Sequence, residues 1–238
     1  MPCWDARGKR KHVRATLVEF TDIAPGVRHF VFEAPVRLQF SPGQFVSLSD
    51  QVNGKTITRA YSIASVPDGN RFELCLNRVE GGAFSPHLFD FMPGDAVEMR
   101  EPLGTFTLRQ PLRDSILIAT GTGIAPFRSM LLTAVGKDSP PMTLLFGVRY
   151  RSHLLYAQEF EDLAARHPQF RFWPTLTQPD GEWKGRTGRV QKHLKETIGG
   201  KSELDFYICG MKALVDEVRQ ILKDQGFDRK QIRSEKYD

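Results

Sequence analysis

Cysteine is scarce in this chain. Cys3, Cys75 and Cys209 are the only three among 238 residues, and none are spaced as C-x-x-C. Three scattered thiols exclude a disulfide framework and a built-in four-cysteine iron–sulfur cluster, and they point to a reducing, cytoplasmic compartment. No metal site is expected. Long apolar runs are missing too: the longest, 116–119 and 142–146, fall far short of the roughly 20 residues that span a bilayer, so no membrane segment is expected. Residues 1–14 are polar and basic and lack the apolar stretch of an export signal. The net charge of +5 is small. Part of it sits in a basic arm of Arg7, Lys9, Arg10, Lys11 and Arg14. That arm reads either as a solvated tail or as an attraction for an acidic partner protein. Nucleic acid is a poor fit, because no interleaved aromatics or known reader motif accompany it.

What is present is an ordinary globular composition, 40% hydrophobic and 26% charged. The length of 238 residues favours two domains with separate cores. From about 13 to 107 the pattern is short and alternating. Apolar segments at 13–20, 27–33, 44–48, 56–65, 71–79 and 96–99 are separated by Pro25-Gly26, Pro42-Gly43, Pro67-Asp68-Gly69-Asn70 and Pro93-Gly94-Asp95. Six short strands with turns at this spacing predict a closed antiparallel β-barrel. One helix interrupts it, with Ser85 as the expected N-cap and Pro86 at the first helical position.

Beyond about 111 the period changes. Strands at 115–120, 142–147, 170–176, 205–209 and 232–236 alternate with helices near 127–132, 156–166, 189–197 and 212–224. Strand–helix alternation with apolar strands predicts a parallel sheet covered on both faces. A ligand of such a sheet lies at the carboxyl ends of its strands. The expected hinge between domains is 111–114.

Three stretches carry candidate chemistry. Arg59-Ala60-Tyr61-Ser62 puts a cation, a flat aromatic and a hydroxyl within four residues of a strand, with Arg59 and Tyr61 on one face. It reads either as a solvated strand or as a surface for a flat, partly anionic ligand. Gly81-Gly82-Ala83-Phe84-Ser85 opens a helix, either as an ordinary cap or as an approach for an anion. Gly121-Thr122-Gly123 follows the first apolar strand of the second half but lacks a complete G-x-G-x-x-G.

Arg59-Ala60-Tyr61-Ser62, Gly82-Ala83-Phe84-Ser85, Gly121-Thr122-Gly123-Ile124-Ala125-Pro126, Cys209-Gly210-Met211 and Glu235 occur in this order. With this series the chain resembles the ferredoxin–NADP reductase family over essentially its whole length. The resemblance implies a flavin-binding β-barrel over 1–110 and an NAD(P)-binding α/β domain with a five-stranded parallel sheet over 111–238, the flavin ring lying between them. It implies FAD as the cofactor in preference to FMN. By match to the family motifs, Tyr61 packs on the flavin ring, Arg59 holds its phosphates and Ser62 hydrogen-bonds near N5. Asn77 and Val79 line the ribose and pyrophosphate side, and Gly82, Ala83, Phe84 and Ser85 serve the pyrophosphate. Gly121, Thr122 and Gly123 cradle the dinucleotide, with Gly210 and Met211 beside Cys209. Cys209 faces the nicotinamide, and Glu235 sits near the flavin as a proton relay. Taken without the resemblance, Cys209 also fits a small core residue at a strand end, and Glu235 a surface carboxylate.

Arg149, Arg186 and Arg189 resemble positions that bind the 2′-phosphate of NADPH, whereas Thr177-Gln178 stands where NADPH-selective members have Ser-Arg. NADPH is slightly favoured and NADH stays open. The implied activity is exchange of hydride between NAD(P)H and FAD N5, and of single electrons with an external acidic ferredoxin or flavodoxin, by a monomer. The alternatives are an NAD(P)H-dependent flavin or ferric reductase, the reductase component of an oxygenase, and a non-catalytic flavin-binding subunit.

Overall fold

The computed structural model describes residues 12–237. Cys3 and Arg7, Lys9, Arg10 and Lys11 of the basic arm lie outside the described residues. The chain divides into two compact units. One runs up to Thr107 and includes Arg128–Thr133; the other holds Leu108–Phe127 and everything from Ala134 onward.

The first unit is built on β1 (His12–Ala24), β2 (Val27–Glu33), β3 (Phe45–Val52), β4 (Lys55–Ser62), β5 (Arg71–Asn77) and β6 (Ala96–Leu103). They form an antiparallel sheet in the order β4-β3-β6-β1-β2-β5, as the turn spacing predicts. The tight turns follow their residues. Pro25-Gly26 joins β1 to β2 with Gly26 at φ +69°, and Asn53-Gly54 joins β3 to β4 with both residues at positive φ. An Asn-Gly pair is favoured there because both residues tolerate positive φ, and the turn they form matches the right-handed twist of the ribbon it closes. The two outer strands meet where Ile63 bridges Leu74 and the Ala64 N–H donates to the Glu73 carbonyl at 2.8 Å.

Alternation fills the interior. Ala15 and Leu17 of β1, Phe30 and Phe32 of β2, Val46 and Leu48 of β3, and Phe72, Leu74 and Leu76 of β5 form one buried cluster. Phe32 and Phe72 are cross-strand partners whose rings stack at 5.5 Å. The short helix α1 (Phe84–Phe89) adds Phe84 and Leu88 to this cluster. Its start differs from the expected one. Ala83 is the N-cap, and Ser85 lies inside the helix with its hydroxyl accepting the Val79 N–H at 2.9 Å. The hydroxyl satisfies a donor in the preceding turn, so it is not spent on the helix's own amides. Pro86 is still tolerated, because first-turn N–H groups have no intrahelical partner.

The second unit holds β7 (Ser115–Thr120), β8 (Met142–Val148), β9 (Phe170–Leu176), β10 (Arg186–Thr187), β11 (Asp205–Met211) and β12 (Ile232–Tyr237), all parallel, in the order β10-β9-β8-β7-β11-β12. The sheet therefore has six strands where five were expected. The sixth, β10, is two residues long and too short to show a period in the sequence. Helices α2 (Ala125–Ala134), α3 (Ala157–Arg166), α4 (Leu194–Ile198) and α5 (Lys212–Asp224) connect the strands. The helix expected over 189–197 is a 3-10 turn, Val190–His193, followed by α4. Leu214, Val215, Val218 and Leu222 of α5 recur at helical spacing and pack with Ile116, Ile118, Phe206 and Ile208. Elsewhere in this unit Phe160 of α3 lies 5.4 Å from the Phe172 ring.

Among the described residues no helix is long and apolar enough to cross a membrane. Phe72→Ala should remove the ring stacked on Phe32 and leave a cavity in the barrel, costing about 3–5 kcal/mol. Urea unfolding followed by circular dichroism, beside the parent chain, measures this loss.

Candidate functional site

In the first unit, β3–β4 pairing sets the register Leu48↔Arg59, Val46↔Tyr61 and Phe45↔Ser62. Arg59 and Tyr61 therefore share one face of the ribbon and Ser62 turns to the other. Arg59 is exposed, donates to the Thr58 carbonyl at 2.9 Å and has no carboxylate partner among the described residues. Ala60 between them is exposed, and Ser62 is buried. The Tyr61 ring is half-buried and stacks on Phe84, 6.3 Å away at 20°. Burial pushes the Tyr61 phenol up to about 12, against a smaller opposing pull from the Arg59 charge. The phenol is therefore neutral and presents a flat apolar face with a hydroxyl tip.

The turn before α1 closes through the Gly82 N–H to the Val79 carbonyl at 3.0 Å and the Val79 N–H to Ser85 Oγ. A Cβ on Gly82 would stand 3.1 Å from that carbonyl, so the turn is tight against its own backbone. Val79 and Ala83 are exposed on it. Asn77 stands apart at the end of β5, exposed and opposite Val27. An exposed guanidinium that bonds only a neighbouring carbonyl, a neutral aromatic face backed by Phe84, and a glycine turn form a donor set that fits a planar ligand carrying phosphate.

In the second unit the chain reverses its order across the sheet between β7 and β11, and both candidate stretches lie at the carboxyl ends of those two strands. Gly121–Ile124 forms a 3-10 turn directly after β7. A Cβ on Gly123 would lie 2.5 Å from the Cys209 carbonyl oxygen, and one on Gly210, at φ +153°, would meet Thr120 Oγ1 at 2.7 Å. These two glycines let the strand ends close on each other. Gly121, at φ +53°, faces open space, and Thr122 beside it is half-buried. A parallel-sheet switch point with glycine-lined backbone fits a dinucleotide.

Cys209 is fully buried, beside Glu235 in the β11–β12 register. Burial pushes its thiol well above the ordinary value, the Glu235 charge adds to this, and a hydrogen bond from Tyr237 opposes it. The thiol is therefore neutral. Glu235 is half-buried, and Met211 is exposed.

The three arginines separate. Arg149 follows β8 and is exposed, its carbonyl accepting the Gln178 N–H at 2.8 Å. Arg189 is exposed just after β10, where the Gly188 N–H bonds the Leu176 carbonyl. Neither has an ion pair among the described residues. Arg186 is engaged otherwise. Its guanidinium lies 3.7 Å from the Trp173 ring centre and 2.8 Å from Glu196 Oε1, which lowers the Glu196 carboxyl. Sequence reasoning missed this partner because Glu196 lies ten residues on, in another element. It also missed Asp50 and His87, which the fold joins at 2.9 Å beside Phe84 and which no local pattern marks.

Comparison with known proteins matches residues 14–108 to the oxidoreductase FAD-binding domain and 117–220 to the oxidoreductase NAD-binding domain. A ferredoxin–NADP reductase B from Sorangium cellulosum is 37% identical over 94% of this chain and 97% of its own length. The chain belongs to the ferredoxin–NADP reductase family. Toluate 1,2-dioxygenase electron transfer component from Pseudomonas putida is 33% identical over 84% of this chain, which spans 60% of that protein. The crystal structure of an Amycolatopsis cytochrome P450 reductase superposes with a TM-score of 0.87 at 31% identity, covering 98% of this chain and 73% of that one. The protein is thus an FAD-dependent oxidoreductase that uses a nicotinamide dinucleotide.

The raised phenol ties stability to pH. Between 10.0, the ordinary value, and about 12, folded Tyr61 keeps a proton that the unfolded chain has lost. Stability present below that window should therefore fall as pH rises through it. Tyr61→Phe should flatten the fall, which thermal unfolding of both proteins across this pH range measures.

Proposed function

We propose that this protein takes hydride from NADPH or NADH and delivers electrons singly to an external iron–sulfur protein or flavodoxin. The observation that carries this reading is the shared face of Arg59 and Tyr61, backed by Phe84, in a unit matched by the FAD-binding domain. Bound FAD supplies the chemistry that accepts a hydride and releases electrons one at a time.

The chain's own residues bind and orient. Arg59 neutralises phosphate charge, and the amides of Ala83, Phe84 and Ser85 add donors to it. Tyr61 would offer its neutral ring to the flavin plane, and Ser62, on the other face of the strand, would offer its hydroxyl to the flavin's reacting edge. Asn77 and Val79 flank the ribose side. In the second unit the backbone of Gly121, Thr122 and Gly123 holds the dinucleotide. Cys209, a neutral thiol, fills the space beside the nicotinamide without adding charge and excludes water from it. Gly210 and Met211 continue that wall, and Glu235 keeps a carboxylate beside the thiol, placed to relay a proton. No general acid or base is needed at the hydride step, since proximity and alignment carry it. Exposed Arg149 and Arg189 support NADPH. Arg186, already paired with Glu196, contributes little to a 2′-phosphate.

A second reading has its own support: relatives named as the electron transfer component of a toluate dioxygenase and the reductase component of a phenol monooxygenase, each 33% identical. The chain then serves an oxygenase as its reductase. Both readings share the flavin and differ in the acceptor.

Anaerobic stopped-flow mixing tests this. The yellow holoprotein should bleach with NADPH or NADH and recolour on adding oxidised ferredoxin or flavodoxin. A flavin that neither nicotinamide reduces overturns the reading. In the same experiment Ser62→Ala should slow bleaching by about tenfold or more while FAD affinity changes much less, as befits a hydroxyl aimed at the reacting atom.

A further inference from the structure

Helix α1 is six residues long, too short to hold its shape alone. Beyond its buried side chains, three polar ties fasten it. Ser85 Oγ accepts the Val79 N–H at the start, and Arg28 Nη1 donates to the Phe89 carbonyl at 2.8 Å at the end. Between them His87 Nε2 meets Asp50 Oδ2 of β3 at 2.9 Å. The first two ties engage backbone groups. The third takes up a carboxylate, and both its side chains are about seven-tenths buried, His87 being 29% and Asp50 31% exposed.

The position of that carboxylate matters. Asp50 pairs with Ile57, so Asp50, Arg59 and Tyr61 lie on one face of the β3–β4 ribbon. Arg59 is the diagonal neighbour of Asp50 across the pair, within reach of a long side chain. A guanidinium and a carboxylate so placed form a strong charge-assisted pair. The structure shows another arrangement: Asp50 Oδ2 faces His87, Oδ1 accepts the Gln51 N–H at 2.8 Å, and Arg59 donates to the Thr58 carbonyl. His87 also lies against Phe84, 6.2 Å between rings, and Phe91, 5.1 Å, so its bond to Asp50 fixes the ring under Tyr61.

We propose that the Asp50–His87 pair is a positioning device for the flavin. It keeps Asp50 from capturing Arg59, which leaves the guanidinium for the phosphates of FAD, and it holds Phe84 against Tyr61. The inference rests on the reading that Arg59 and Tyr61 contact FAD.

The test is FAD titration of flavin-stripped protein, followed by the change in flavin fluorescence. His87→Phe keeps an aromatic ring against Phe84 and Phe91 but cannot bond Asp50. It should weaken FAD by about tenfold or more, the scale of a charge-assisted contact. Adding Asp50→Asn to that variant removes the competing carboxylate and should restore most of the affinity. His87→Gln, whose amide nitrogen takes the place of Nε2 and can still donate to Asp50, should stay near the parent value. Circular dichroism checks the fold of each protein, and His87→Leu replaces His87→Phe where the latter does not fold. Parent-like affinity in the variant that cannot bond Asp50, or a double variant no tighter than the single one, overturns the proposal. Parent protein that fails to take up FAD overturns the underlying flavin reading instead.

Discussion

The first unit depends on the closing of its sheet where β4 meets β5. The Ile63–Leu74 bridge and the Ala64 to Glu73 hydrogen bond come directly after Ser62, so the last residues of β4 are held by the seam itself. Without it, β4 and β5 would be free edges, exposing unpaired backbone groups and the phenylalanine-rich interior. With it, Arg59 and Tyr61 are held at one end of a closed structure. Their orientation follows from strand register, which a slip of one residue would invert.

The second unit solves a different problem with the same economy. A parallel sheet sets the turns and helix N-termini that follow its strands at its carboxyl edge, but a ligand can use their amides only where side chains stay away. Gly123 and Gly210 meet this need by letting the turn after β7 settle onto the end of β11, with Cys209 sealed beneath. Close approach here is steric, since any side chain at Gly123 would collide with the Cys209 carbonyl.

Much of this was legible in the sequence. All the strands but the two-residue β10 announce themselves through alternation or continuous apolar runs, and in the first unit Pro-Gly turns mark their ends. The glycine-flanked Thr122 was readable because it follows an apolar strand. Other features were not legible, for physical reasons. Ser85 looks like a cap, yet its hydroxyl bonds an amide six residues earlier, which depends on how the intervening turn folds. Arg186 looks free for phosphate until β10 lays it on Trp173 and Glu196. Asp50 and His87 lie 37 residues apart and meet only after the barrel has formed. Local pattern carries elements; long-range partners arise from packing.

The burial of Cys209 has a chemical consequence. A thiol with no accessible surface and a strongly suppressed tendency to ionise is a poor nucleophile. Alkylating agents and peroxide, electrophiles that react with the thiolate, therefore leave this sulfur untouched while the chain is folded. A redox protein so built can turn over among reactive oxygen by-products without losing the sulfur at its core.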